Sequence, residues 1–406
     1  MVGGVTASEG GNATDNHAVL KNGTVYQSVT GGSVGSNGGN TMRNIVNIDG
    51  GTVHQSVYGG YVRSAGKAEE NTVTLTNGTV NGAVFGGVTT SGEAINNKVY
   101  IKGGSATNVD VHGGFSTNGN VTKNKVFIEG GTKQDVFGGV TINGKATGNI
   151  VTVTGGSVRN VVGGEVRTTG EASGNIVTVG NVTVNSITGG AGTTTNDNTV
   201  NLNGATVNGA VTGGTQASGE GNTLNVEGQN SAQSVAGFQT MNFNTKGVAT
   251  GSTMLNVTGA AQTKVNWNTL SASGVAIQKV TLLKNTAGHI HLEGYHDSAK
   301  SDITDGNTES NIDVVKDSSN NITGITYQGY QFKDVKTATS DGGNLYGGIS
   351  KAGNSTRENT ITVNSGTHTN VYGGWTSGTG TSAADKGNSY SNTVTVKGSA
   401  TVNGTV

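Results

Sequence analysis

The sequence predicts an all-β chain, a right-handed parallel β-helix (β-solenoid) built from coils of 24–28 residues. Three observations predict it. A double glycine led by a strand-like run returns at 31, 59, 86, 113, 138, 163, 189 and 213, and again at 347 and 373. Each copy opens on Asn-x-Val-x-Val/Ile/Leu, as in "NTVTL" (71–75), "NKVYI" (97–101) and "NKVFI" (124–128). The 406 residues contain no proline, a residue that would delete a ladder hydrogen bond in almost any strand.

Each part of the copy has a physical reading. In "NTVTL", Val73 and Leu75 fall on one side of a strand and Thr72 and Thr74 on the other, which gives one buried and one wet face. The bend that follows is Asn77-Gly78 or Asn203-Gly204 in some copies and "DGG" (49–51) or "KGG" (102–104) in others. No single tight hairpin is specified, so it reads as a corner between sheet faces. A second strand, "TVNGAVFGGV" (79–88), then runs into Gly86-Gly87. The missing side chains there predict a second corner. Coils stacked ~4.8 Å apart would make ~16 turns and a rod ~75 Å long. In such a stack the leading Asn44, Asn71, Asn97, Asn124, Asn149, Asn175, Asn198 and Asn222 form a structural ladder of amides, continued at 359 and 392.

Three segments follow from this pattern. Residues 1–238 are regular repeats. Residues 239–340 lose the double glycine but keep β alternation, which reads as irregular coils or a β insertion continuing the solenoid. Residues 341–406 resume the repeat and stop inside a copy. Start and end both cut a copy, and no polar cap is evident, so the sequence reads as a fragment of a longer protein. Only 32% of residues are hydrophobic and 5% aromatic, enough for a narrow core column and too little for a thick one. A formal charge of −1 without a basic block gives no footprint for nucleic acid. No apolar run is long enough to cross a bilayer as a helix. The absence of cysteine removes disulfides, thiolate metal sites and cysteine nucleophiles.

Chemistry-bearing residues are sparse. The acids Asp49, Glu129, Asp135, Glu165 and Glu227 are scattered, with no partner evident for Glu129 or Asp135 in a neighbouring coil. Glycosidic cleavage needs two carboxyl groups ~5–9.5 Å apart, so a non-enzymatic protein is expected. His289, His291 and Glu293 share a strand face, with His296 and Asp297 beyond. Zinc ligation is compatible with that face, but spacing alone is weak evidence and the face reads as an exposed polar strand, so neither metal nor cofactor is expected. A Thr-x-Thr ladder fails, because Thr72/Thr74 is followed by Lys98/Tyr100 and Lys125/Phe127. Before the double glycine stand Tyr58, Phe85, His112 and Phe137, and after the break Tyr346 and Tyr372, with Trp375 just beyond. These rings form either an outward binding stripe or a packed column at the glycine corner.

The tandem copies, with the phrases "STMLNVTG" (252–259) and "KVTLLKN" (279–285), resemble passenger regions of bacterial type V autotransporters. The resemblance implies an extracellular, surface-displayed protein, anchored in the outer membrane only through a C-terminal barrel that this chain lacks. It implies a monomeric adhesin or adhesin stalk whose partner is a host or bacterial cell-surface protein or glycan. In this family those phrases often stand near the passenger's end, whereas here more repeats follow them, suggesting a multi-module passenger. Passengers cross the outer membrane unfolded, and a cysteine-free chain that folds coil by coil suits that route. The alternatives are a β-helical polysaccharide lyase or hydrolase, distinguished by acids and bases clustered in one groove, and a purely structural spacer.

Overall fold

The computed structural model describes residues 1–7, 10–35, 38–105, 109–216, 219–249, 251–273, 280–296, 300–302, 310–328, 343–347, 349–351, 356–357, 360–377, 389–390 and 392–406. The chain is a parallel β-solenoid of about 12 turns with ~26-residue spacing. One coil shows the plan. Thr72–Leu75 lies on one side, Thr79–Val80 and Val84–Thr89 on the second, and the short Ala94–Ile95 on the third. Each pairs in register with its copies above and below: Val73 with Val46 and Val99, Val84 with Val57 and Val111, Ala68 with Thr41 and Ala94. The Asn-x-Val strands make an 11-stranded sheet, the double-glycine strands belong to a 16-stranded sheet that continues beyond them, and the short strands make a 6-stranded one.

Two corners per coil depend on the left-handed region. Gly51, Gly78, Gly104, Gly131 and Gly156 hold φ between 72° and 94°, which glycine reaches without a Cβ penalty. They are the predicted bend after the Asn-x-Val strand. The second corner is the residue just before each ladder asparagine: Arg43, Glu70, Asn96 and Lys123 take φ of 53–57°, and Gly148 and Gly174 take 64°.

The double glycine is not a corner, contrary to the sequence expectation. Gly59-Gly60 lies in the middle of Val57–Val62, and Gly86-Gly87 in the middle of Val84–Thr89. The reason is space. A Cβ on Gly86 would stand 2.9 Å from Asn97 Cβ and collide with the Gly113 carbonyl of the next coil. A Cβ on Gly87 would stand 2.5 Å from Asn97 Nδ2. Both glycines therefore back onto the asparagine, and the residues flanking the pair both face outward.

The asparagine column divides the interior. On one side runs the main core of Val46, Val73, Val99, Ile48, Leu75, Ile101, Val57, Val84 and their copies. On the other are small separate clusters, Ala13/Val34/Val62/Ala68 and Ala146/Val166/Ala172. This narrow column explains how so few hydrophobic residues suffice.

The stack has about 12 turns rather than the ~16 expected from length, and it changes character within 239–340. Coils of parallel strands persist through Thr253–Val257, Leu270–Ser273 and Val280–Asn285. Ile322–Gln328 then pairs antiparallel to Val280–Asn285, Ser310–Lys316 antiparallel to it, and Lys300–Asp302 antiparallel to that. Ile312, Ile325 and Tyr327 bury completely against the main core. A cap is thus present where the sequence showed none. Beyond 343, two coils pair with each other around Leu345, Ile361, Val363 and Val371.

Candidate functional site

The eight predicted asparagines are all fully buried. Each side-chain Nδ2 donates to Oδ1 of the asparagine one coil on, at 2.8–3.1 Å from Asn44 to Asn222. The same Oδ1 accepts the preceding asparagine's backbone N–H, as Asn97 Oδ1 does from Asn71 at 3.0 Å. The second Nδ2 proton goes to a backbone carbonyl of the short sheet, such as Ala68 O for Asn97 at 2.8 Å. Every amide is thereby used twice over, and buried polar groups are tolerated on that condition. Asn16 begins the column and the Gln239 side chain ends it by accepting from Asn222 N. Asn359 lies outside the described residues, and Asn392 stands beneath Gly373 as its counterparts do.

The aromatic column lies on the outer face of the double-glycine sheet. Tyr58, Phe85, His112 and Phe137 stack in register with centroids 4.7–5.2 Å apart and nearly parallel planes. Past the glycines a second outward column carries Tyr61 and Phe115, with Tyr61 stacked on Tyr58 and Phe115 edge-on to Phe85 and His112. Sequence reading missed this second column, whose signal is the residue after each double glycine. Tyr58 and Phe85 remain half-exposed, whereas His112 and Phe137 are only 5% and 7% exposed. The valines before them (Val57, Val84, Val111, Val136) point into the core. Tyr346 and Tyr372 stack likewise at 5.3 Å, with the 40% exposed Trp375 edge-on to both.

His112 is chemically quiet. Burial, reinforced by the Arg167 charge, pushes its imidazole down to about 3, and Nδ1 has no hydrogen-bond partner. It serves as a flat neutral ring. Asp110 and Asp135 occupy neighbouring coils beside the column, with Asp135 N donating to Asp110 Oδ1 at 3.2 Å. Burial raises the Asp110 pKa. Asp135, for which no neighbouring-coil partner was expected, takes a two-point hydrogen bond from Arg159 at 2.8–2.9 Å and another from Asn160. Lys133 is buried in register with Val158 of the next coil, and burial lowers its pKa to about 8. Its Nζ donates to Thr132 O.

His289, His291 and Glu293 are exposed and alternate with buried Ile290 and Leu292; His296 is exposed as well. Among the described residues no three such groups gather around one point, and Asp297 lies outside them.

Two grooves flank the end of the asparagine column. One runs over the outer face of the Asn-x-Val sheet, where Asn201, Asn225 and Asn242 hydrogen-bond in series at 2.8–2.9 Å. Glu227 there accepts from Asn203 and Asn244. The other, of about 520 Å³, lies between Thr212–Gln216 and the strand Thr263–Asn266. A shallow polar recess by Asn256 and Lys284 is a third. Comparison with known proteins finds no match among family models, curated proteins or solved structures.

Proposed function

We propose that this chain is a non-enzymatic binding rod displayed on a bacterial cell surface, an adhesin or the stalk of one, of the kind found in autotransporter passengers. The observation that carries the reading is the in-register aromatic face: Tyr58, Tyr61, Phe85 and Phe115 lie side by side on the outside of a regular solenoid. Rings stacked face to face at coil spacing turn their edges outward as one continuous apolar ridge that a sugar or a partner's side chains can cover. The three grooves each carry at most one carboxylate, whereas glycosidic hydrolysis uses two. Asp135, which has Asp110 in the neighbouring coil, is held by Arg159. Regular coils below supply reach and stiffness, as expected of a stalk.

The test is adhesion of the purified chain to epithelial and bacterial cell surfaces, compared with a Tyr58→Ala/Phe85→Ala variant. We expect at least tenfold weaker attachment with an unchanged β spectrum by circular dichroism. Equal attachment by the variant removes the aromatic face as the contact. Attachment by neither protein leaves the spacer role as the better account.

A further inference from the structure

The 520 Å³ groove arises from a change in coil plan. Successive ladder asparagines stand 23–28 residues apart, but Asn222 and Gln239 are only 17 apart. The chain turns back at Gly237 (φ 73°) straight into Thr240–Asn244, and the short third side is skipped. Phe238 fills the space under Gly213, and Gln239 terminates the amide column. A three-sided rod therefore steps down to a narrower one. The groove occupies the step, with the last full coil as one wall and the outer face of Thr263–Asn266 and Ile290–Glu293 as the other.

The lining is specific in character. Its floor is apolar, from Phe238, Val235 and Val265. Its walls present the exposed side chains of Gln216, Gln262, Lys264 and Glu293. Gln216 Nε2 donates to Gly192 O at 3.1 Å, leaving its Oε1 to accept. Neither Lys264 nor Glu293 has an ion-pair partner among the described residues. One cation and one anion sum to zero, so the groove does not select a charged ligand. Amides both donate and accept, which matches vicinal hydroxyl groups, and an apolar floor suits the C–H face of a pyranose. The volume falls in the usual ligand range of ~300–1,000 Å³.

We infer that this step is a binding site for a short neutral oligosaccharide of two to three pyranose units, separate from the aromatic face and independent of it. A nucleotide or sulfated chain would leave its charge facing a single lysine. The test is titration calorimetry of the full chain with chitotriose, cellotriose, maltotriose and lacto-N-tetraose, beside sialyllactose and a heparin tetrasaccharide. Binding of at least one neutral sugar is expected, weakened tenfold or more in Gln262→Ala/Lys264→Ala. The same sugar should bind Tyr58→Ala/Phe85→Ala undiminished, so that failure of the aromatic face and of the groove are told apart. Unchanged melting of the groove variant shows that the coil survives. A Thr215→Trp variant, which blocks the groove, should also lose the sugar. No neutral sugar bound, binding confined to the two anionic sugars, or binding indifferent to both groove variants would each overturn the inference.

Discussion

His112 shows how one side chain can carry a pH dependence without touching a ligand. It lies between Phe85 and Phe137 at 4.7 and 4.9 Å, and burial pushes its pKa from the ordinary 6.5 to about 3. The unfolded chain takes up a proton below pH 6.5 that the folded chain refuses until about pH 3. Unfolding therefore binds a proton across that window, and stability falls as pH falls through it. At pH 5 the loss is ~2 kcal/mol. A His112→Phe variant keeps the stack, discards the unpartnered Nδ1 and removes this loss. Denaturant melts should show the variant's advantage to be larger at pH 5 than at pH 8; an advantage that does not grow on acidification would refute the assignment. The column's existence was legible in the sequence, because the residue before each double glycine is aromatic in four consecutive copies. How deeply each ring sits was not legible, since the covering comes from neighbouring coils: Tyr58 stays half-exposed while Phe137 is nearly covered.

At the scale of the element, the asparagine and the double glycine are one device. The amide of Asn97 needs the space that side chains at Gly86 and Gly87 would occupy, and in return it bonds two coils and the short sheet. Asn97→Ala removes four hydrogen bonds and strands buried partners on both sides. The expected cost is about 3–5 kcal/mol. Gly87→Ala should cost a similar amount by forcing that same amide aside, although alanine normally favours order over glycine. Because both changes break the same bonds, the double variant should cost clearly less than the sum of the singles. Thermal melts of the four proteins measure this coupling, and strict additivity would separate the two features. Sequence periodicity revealed the asparagine repeat and the glycine repeat, yet it assigned the glycines to a corner. The true second corner is hidden in residues such as Arg43, Glu70 and Lys123, whose left-handed backbone leaves no compositional mark. The short coil was also hidden, because loss of the double glycine at 237 reads equally as irregular coil or as insertion.

Across the molecule, cohesion along the described stack is between neighbours: each inner coil pairs with the coil before and the coil after. Stability in such an array is a sum of local terms, and damage stays near its origin. The antiparallel strands at 300–302, 310–316 and 322–328 matter most at the end they cover. They pair onto Val280–Asn285, and Ile325 and Tyr327 are fully buried against the core there. Burying two such side chains contributes ~4–5 kcal/mol locally. An Ile325→Lys/Tyr327→Lys variant would place two charges in that seam and lift the cap. Amide exchange should then quicken by 100-fold or more in Val280–Asn285 and Thr253–Val257. It should stay near its original rate in Ile45–Ile48 and Thr72–Leu75, eight or more coils away. The exposed parallel edge would also offer unpaired backbone groups to a second chain, so concentration-dependent association should appear by light scattering. If instead exchange accelerates equally in all coils, the rod unfolds as one cooperative unit, and cap and body cannot be tuned separately.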